Sequence, residues 1–301
     1  MKHKGIALLI TVFFVMLISV ALGISLKYVK KSTQSLSKEN FLLQATVITE
    51  DILTILKTYP ELNQVTDADS LSIFLSQAAV IPLHADNLEI NIEIKSARGK
   101  INPNVFRTKE RLSALNTFML QHAVNEEYSL MMKDSISGVK ADNMYNTDIF
   151  SENPYLFRAY IASDEQLLNL NRLYKQKYHE NSLDKLAIFD LFYTSPDTNS
   201  SIDVNSSIDV NYATPLVWEL LLHCDESRAE SLSLNGQGLY TKIEDLGLSD
   251  EENSSLSNFS ISFYEPIVDV KVDLNDKHNS AIIRFEYDIK SKKGTHFVVK
   301  I

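Results

Sequence analysis

An uninterrupted apolar stretch covers residues 6–26. It reads IALLITVFFVMLISVALGISL and is interrupted only by Thr11, Ser19, Gly23 and Ser25. At 1.5 Å per residue it forms a helix of ~30 Å, which matches one bilayer core. A secretory signal peptide has a shorter apolar core of roughly 7–15 residues, followed by a small-residue cleavage site. The pattern therefore predicts a transmembrane helix over residues 6–26.

Apolar residues continue beyond this stretch with a helical period. They recur in steps of four and three at Phe41, Ala45, Ile48, Ile52, Ile55 and Tyr59. This spacing places them on one face of a helix, and no proline occurs before Pro60. We predict that the helix continues over residues 27–59 and packs this stripe against a folded domain. The polar residues 30–38 leave a second possibility, in which a linker separates the membrane span from an independent helix.

Residues 60–104 are predicted to start the folded part of the chain. The segment QVTDADSLSIFLSQAAV has a helical pattern with Asp67 or Asp69 as candidate N-cap, and Pro82 is expected to break the structure after it. Residues 87–95 then alternate apolar and polar side chains, which predicts a half-buried strand. Its apolar side consists of Leu88, Ile90, Ile92 and Ile94.

Residues 105–257 have mainly helical patterns, such as RLSALNTFMLQHAV and SDEQLLNLNRLYKQKY. An exact tandem hexapeptide, SSIDVN, occupies residues 200–205 and 206–211, and two copies are too few for a solenoid. Thr214 and Pro215 suit the N-cap and first position of a helix that continues as LVWELLL. Further short helices are expected near Ala229 and Ile243.

Strand patterns return at residues 259–274, 280–290 and 295–301, with turns expected at 275–279 and 292–294. One early strand is thus separated from three late strands by a long helical block. The predicted fold class is α+β, with a long N-terminal transmembrane helix packed on an antiparallel sheet. Residues 60–104 and 258–301 would form the α/β core, and residues 105–257 a large inserted, mainly helical domain.

Charge is distributed unevenly. Residues 1–31 contain five lysines and no acid, while the remaining chain has 24 Lys and Arg against 39 Asp and Glu. Nucleic-acid binding depends on a basic surface that neutralises phosphates. An acidic body therefore argues against a nucleic-acid partner.

Recognisable catalytic motifs are absent from the sequence. The seven histidines never have H-E-x-x-H spacing, and no G-x-S-x-G elbow or phosphate-binding loop occurs. Cys224 is the only cysteine, which excludes an intramolecular disulfide, and its neighbours His223 and Asp225 would point in different directions on a helix. We therefore expect neither an enzyme nor a cofactor.

Calcium is the one ion with any candidates. Calcium needs six to eight oxygen ligands held together, and the sequence has no twelve-residue EF-hand loop. The weak candidate ligands are Asp134, Asp142 and Asp209.

The first residues, Met1-Lys2-His3-Lys4-Gly5, form a basic leader that ends in glycine directly before the apolar stretch. This arrangement resembles a type IV prepilin. The resemblance implies cleavage by a prepilin peptidase between Gly5 and Ile6. Most members of that family have a glutamate at the fifth position of the mature chain, where Ile10 stands here. A buried carboxylate is costly without a partner, so a subunit that lacks it suits the end of a filament.

The order of segments and two short motifs resemble the minor pseudopilin K family of type II secretion systems. After the first strand, residues 98–104 (RGKINPN) match a Gly-x-x-Asn-x-Asn-like segment of that family. Residues 208–214 (IDVNYAT) match an Ile-Asn-x-Asn-Thr-Ala-like segment that opens a helix. The disulfides found in that family cannot form with Cys224 alone, and its aspartate-rich turn is reduced here to Asp134 and Asp142.

The resemblance implies a non-enzymatic tip subunit of a pseudopilus that supports protein export across the outer membrane. Its implied partners are other minor pseudopilins, the major pseudopilin and the prepilin peptidase. Its implied location is the inner membrane, with a single span, a periplasmic body and methylation as a modification. Two alternatives remain open at this stage, a minor pilin of a type IV pilus and a signal-anchored envelope protein that binds a ligand.

Overall fold

A computed structural model of the chain describes residues 39–85, 88–140, 144–194, 207–235, 240–276 and 279–300. The predicted membrane span, the Gly5–Ile6 cleavage site and Ile10 lie outside these residues, as do Asp142 and the first hexapeptide copy. Among the helices in this part of the chain, none is both long enough and apolar enough to be a membrane span.

The first described helix, α1, covers residues 39–58. The predicted inward orientation of the apolar stripe is confirmed for Phe41, Ala45 and Ile52, which are buried. The stripe was predicted wrongly at its end, because Leu56 is buried while Ile55 is 57% exposed. Ile55 and Leu56 are adjacent and equally apolar, so the sequence alone cannot show which of them faces inward. Tyr59 is also exposed and lies just beyond the helix.

Helix α2 (Ala68–Ala78) begins at the N-cap Asp67, whose side chain accepts a hydrogen bond from the Ser70 amide at 2.9 Å. Strand β1 (Val80–Ala85) follows at once, so the break expected at Pro82 is wrong. Pro82 is tolerated because β1 lies at the edge of the sheet, where one ladder hydrogen bond can be missing.

The sheet has five strands in the order β1-β2-β5-β6-β7, and every pair in it is antiparallel. Strand β2 (Leu88–Ser96) confirms the predicted alternation, since Ile90, Ile92 and Ile94 are buried. The three later strands are β5 (Ile267–Asn275), β6 (Ser280–Asp288) and β7 (Lys293–Lys300).

Two late strand boundaries differ from the prediction. The segment 259–274 is not one strand, because residues 263–266 lie outside β-structure and Pro266 has no amide hydrogen for a ladder. The turn expected at 292–294 lies at 289–292 instead, and Lys292 adopts a positive φ of 57° there. The Asp288 carboxylate holds this turn by accepting hydrogen bonds from the amides of Lys290 and Ser291.

The helical part lies between β2 and β5. Its longer helices are α3 (Lys109–Gln121), α4 (Glu127–Ile136) and α6 (Asp164–Tyr178), with the short α5 (Ile149–Glu152) and α7 (Ile188–Leu191) between and after them. Strand β3 (Ile208–Asp209) leads to α8 (Pro215–Leu222), α9 (Glu226–Asn235) and α10 (Asp250–Leu256), and β4 (Ile261–Ser262) pairs in parallel with β3. Short 3-10 turns occur at Pro60–Gln64, Pro103–Val105, Ser182–Asp184, Val210–Tyr212 and Ile243–Leu246. The N-cap role of Thr214 in α8 is confirmed, since its hydroxyl accepts a hydrogen bond from the Val217 amide.

Among the described residues, the buried apolar side chains form two separate clusters. The sheet core joins α1 and α2 to the inner face of the sheet and includes Leu71, Val270 and Phe285. The helical core extends from Ile101 to Phe259 and surrounds the single tryptophan, Trp218. These clusters follow the predicted order of strand, helices and strands, while the exact domain boundaries stay a prediction.

Candidate functional site

The two cores meet where residues 98–104 and 208–214 lie against each other, a region we call the junction. The Asp209 amide donates to the Arg98 carbonyl at 2.8 Å, and the Thr214 amide donates to the Gly99 carbonyl at 3.3 Å. A Cβ atom on Gly99 would lie 2.1 Å from the Tyr212 carbonyl oxygen, so only glycine allows this approach. The two segments that carry the sequence resemblance thus form one structural unit.

Arg98 connects the sheet to the helical part. Its guanidinium donates two hydrogen bonds to the Glu286 carboxylate on β6, at 3.1 Å and 2.8 Å, and it also lies over the Tyr193 ring, whose centroid is 5.0 Å away. Both members of the ion pair are buried. Such a buried bidentate ion pair is stabilising only while both charged groups are present, because either charge alone would be buried without a partner.

A third residue completes this ion pair. His296 on β7 places Nδ1 3.1 Å from a Glu286 carboxylate oxygen. Burial raises the pKa of Glu286, but the hydrogen bonds from His296 and Arg98 outweigh burial and lower the pKa to about 2. Glu286 is therefore a carboxylate at every pH at which the protein is expected to work.

Asp209 connects the two sides of the junction through its carboxylate. One oxygen accepts a hydrogen bond from the Asn211 amide at 3.1 Å, and the other accepts from the Glu265 amide at 2.9 Å. Burial raises the pKa of Asp209 to about 6, even though these two amides act in the opposite direction. Both of its carboxylate oxygens thus serve backbone amides within the fold.

Asparagine side chains hold the backbone on both sides of the junction. Asn104 donates to the Ile161 carbonyl and accepts from the Ile161 amide, at 2.9 Å and 2.7 Å. Asn211 does the same with Tyr240, and it also donates to the Phe263 carbonyl at 2.8 Å. These asparagines are buried and act as backbone clamps rather than as ligands for a solute.

Asp134 is likewise a structural residue. Its buried carboxylate accepts four hydrogen bonds from the backbone amides and side chains of Asn146 and Thr147, at 2.6–3.0 Å. Within the described residues, no group of three or more His, Cys, Asp or Glu could hold a metal ion. The structure therefore does not bring Asp134 and Asp209 together as ligands.

The sequence neighbours His223 and Cys224 also do not form a site. His223 is the C-cap of α8 and adopts a left-handed conformation with φ 53°, so the chain leaves the helix at this residue. Burial raises the pKa of the Cys224 thiol to about 11, so the reactive thiolate is disfavoured.

One small cavity of about 190 Å³ lies between α3 and α4 and is lined in part by Asn116 and Ser129. Small-molecule sites typically enclose ~300–1,000 Å³. The cavity is therefore too small for most organic ligands.

The outward side of α1 carries a second apolar row, which we call the outer stripe. It consists of Leu43 and Val47, which are 65% and 55% exposed. These two residues are four positions apart and lie on the side of the helix opposite the buried Phe41 and Ala45, and Asp51 ends the apolar row. A helix that is apolar on two opposite sides is expected to lie between two apolar surfaces, of which the sheet core provides one.

Sequence reasoning missed the Arg98–Glu286 pair and the outer stripe. The two members of the pair are 188 residues apart, and no local pattern joins them. The outer stripe could have been found from Leu43 and Val47, which are four residues apart and lie opposite the predicted inner face.

These elements define a class of fold, in which a long helix packs on an antiparallel sheet and a large helical insertion follows the first long strand. The same fold occurs in a chain of the GspK-GspI-GspJ complex from the type 2 secretion system of enterotoxigenic Escherichia coli. The similarity has a TM-score of 0.54 at 12% sequence identity and covers 89% of this chain and 97% of that chain. The fold is therefore minor pseudopilin K-like. Comparisons with family models and with curated proteins gave no match.

Proposed function

We propose that this chain is a non-enzymatic minor pseudopilin, placed at the tip of a type II secretion pseudopilus and supporting protein export across the outer membrane. The observation that carries the proposal is the outer stripe of α1, in a fold shared with a chain of a minor pseudopilin complex. A subunit in a helical bundle needs one apolar helix face for its own body and another for its neighbours. The outer stripe supplies the second face.

Two features support the proposed position at the tip, the helical insertion and Ile10. The insertion contains its own core and adds a body beside the sheet that is difficult to repeat along a filament. Ile10 stands where a filament subunit would have a glutamate for a neighbouring amine. Both features suit a single subunit with neighbours on one side only.

Processing and location complete the proposal. The prepilin peptidase cleaves between Gly5 and Ile6, residues 6–26 anchor the chain in the inner membrane, and the body lies in the periplasm. The partners are other minor pseudopilins and the major pseudopilin, with no cofactor and no nucleic acid. The GspK-GspI-GspJ complex supports the choice of minor pseudopilins as partners.

The decisive experiment compares Val47→Asp with Leu120→Asp in co-purification with the other minor pseudopilins of the same secretion system. Val47 lies on the outer stripe and is 55% exposed, and Leu120 on α3 is 54% exposed. Neither variant removes a core side chain, so both should fold with unchanged melting temperatures. Val47→Asp buries a charge at the helix–helix contact and should abolish co-purification and secretion, whereas Leu120→Asp should preserve both.

The proposal fails if Val47→Asp binds its partners like the unmodified chain. It also fails if intact-mass measurement of the membrane-extracted protein shows that Met1 to Gly5 are retained.

A further inference from the structure

Strand β7 lies at the edge of the sheet and pairs only with β6 among the described strands. Its outer edge therefore presents backbone amides and carbonyls without a ladder partner in this part of the chain. Natural proteins usually protect such edges with proline, lysine side chains, β-bulges, short length or inward-pointing charges, because an open edge readily takes up another strand.

The two edges of the sheet differ in this respect. On the opposite edge, β1 contains Pro82, which lacks an amide hydrogen and interrupts any added ladder. Strand β7 contains no proline and is eight residues long. A bulge at His296 and Phe297, where His296 has a φ of 58°, divides the β7 edge, so its donors and acceptors follow strand geometry on either side of the bulge.

Apolar side chains surround the open edge on both faces of the sheet. Val299 pairs with Ile283, whose side chain points into the sheet core, while Val298 pairs with Arg284 on the opposite face. Phe297, which stacks on Phe285 at 5.1 Å, Val298 and Val299 are each about half exposed. An added strand would cover apolar surface on both faces at once.

The charged residues of β7 and of the turn before it are all lysines. Residues 289–300 contain Lys290, Lys292, Lys293 and Lys300 and no acid, although the chain as a whole is strongly acidic. Within the described residues, none of these four lysines forms an ion pair. A second copy of this chain, paired antiparallel along the whole of β7, would place Lys293 opposite Lys300, which disfavours self-pairing.

We propose that the outer edge of β7 binds an extended segment of a second protein, which joins the sheet as an additional strand and carries acidic residues on both sides of an apolar centre. Backbone hydrogen bonds supply the attachment, the apolar centre covers residues 297–299, and the acids pair with the lysines at both ends of β7. This surface is separate from the outer stripe, so it can be tested whether or not the proposed function holds.

The test uses the full chain in detergent micelles and short synthetic peptides with a valine- and threonine-rich centre. One peptide has glutamates at both ends, a second has lysines there, and a third repeats the first with N-methyl groups on alternate amides. Binding is measured by fluorescence anisotropy of labelled peptide, and its location by hydrogen exchange of the β7 amides. The matched variants are Val298→Lys, at a position 46% exposed, and Leu83→Lys on β1, at a position 43% exposed.

The glutamate-flanked peptide should bind, slow hydrogen exchange across residues 295–300, and bind less tightly as salt is added. The lysine-flanked peptide and the Val298→Lys variant should each weaken binding at least ~10-fold, and Leu83→Lys should leave it unchanged. The N-methylated peptide should not bind to the unmodified chain, a result that depends on no variant folding correctly. Equal binding of the two charged peptides, exchange protection outside β7, or self-association through β7 would overturn the proposal.

Discussion

Replacing Arg98 by Met should lower the free energy of unfolding and allow the sheet core and the helical core to unfold in separate transitions. The substitution keeps an apolar stem but leaves the buried Glu286 carboxylate without its two guanidinium hydrogen bonds. Removing one member of a buried pair typically costs ~3–5 kcal/mol. The pKa of Glu286 gives an independent scale, since its shift from 4.5 to about 2 corresponds to about 3 kcal/mol of stability.

The lowered pKa of Glu286 also determines in which direction the stability of the protein changes with pH. A carboxylate with a lowered pKa in the folded state stabilises the protein fully above its unfolded pKa, and this contribution is lost as pH falls from 4.5 towards 2. Arg98→Met should therefore reduce stability near neutral pH and make the remaining stability less sensitive to acid in that window. His296 still contacts Glu286 in the variant, so part of the dependence should remain.

Urea unfolding followed by two probes can measure this effect. Trp218 is completely buried in the helical core, so its fluorescence reports that core, while far-ultraviolet circular dichroism reports the whole chain. The two transitions should coincide in the unmodified protein and separate in Arg98→Met. Lys95→Met is the control, because it breaks the Lys95–Glu93 ion pair on β2, in which the lysine is largely exposed, and should cost under ~1 kcal/mol.

Two results would refute this reasoning. One is an Arg98→Met variant within ~1 kcal/mol of the unmodified chain, which is the range of an exposed pair. The other is a double variant, Arg98→Met with Glu286→Leu, that is no more stable than Arg98→Met alone, since removing the orphaned charge should recover stability.

Three further perturbations test other parts of the molecule. Gly99→Ala forces a methyl group against the Tyr212 carbonyl and should destabilise the fold by ~1–3 kcal/mol in thermal melting, whereas an unchanged melting temperature would contradict the close approach. Asp209 has a pKa raised from 3.8 to about 6, so its contribution to stability is complete below pH 3.8 and is lost as pH rises through 6. The free energy of unfolding should therefore fall by about 3 kcal/mol over this range, and Asp209→Asn should abolish that fall. An identical pH profile for the variant would count against this assignment. Ile10→Glu should disturb tip placement and secretion, which immunogold labelling and an export assay can follow, and a fully active variant would remove the argument from the missing carboxylate.

Local patterns predicted the parts of the fold that depend on neighbours in sequence. The alternation from Leu88 to Ile94 and the caps at Asp67 and Thr214 depend on short-range geometry, and the structure has them as expected. The end of the α1 stripe was wrong because two adjacent apolar residues compete for one inward position. Strand β1 was missed because Pro82 is unfavourable in a central strand but acceptable at an edge, and edge position is a property of the whole sheet.

The junction could be predicted only in part. The motifs at 98–104 and 208–214 were recognisable as sequence, yet nothing in either segment shows that they touch each other. Arg98 finds Glu286 across 188 residues, and such contacts depend on the register of distant strands. A charge pair between distant segments therefore cannot be predicted from the local sequence.

Strands β2 and β5 are antiparallel neighbours, with Ser96 opposite Val268 and the Ala97 amide bonded to the Ile267 carbonyl at 2.9 Å. They form, in effect, a hairpin whose connecting loop has grown into a body with its own core. The entropic cost of closing a loop rises only slowly with its length. The stability of the sheet therefore depends little on how large that loop becomes. The helical body can therefore be enlarged, shortened or replaced in evolution while the strands keep their register. Asp209 is hydrogen-bonded to both Arg98 and Glu265 and lies at the boundary where such changes would begin.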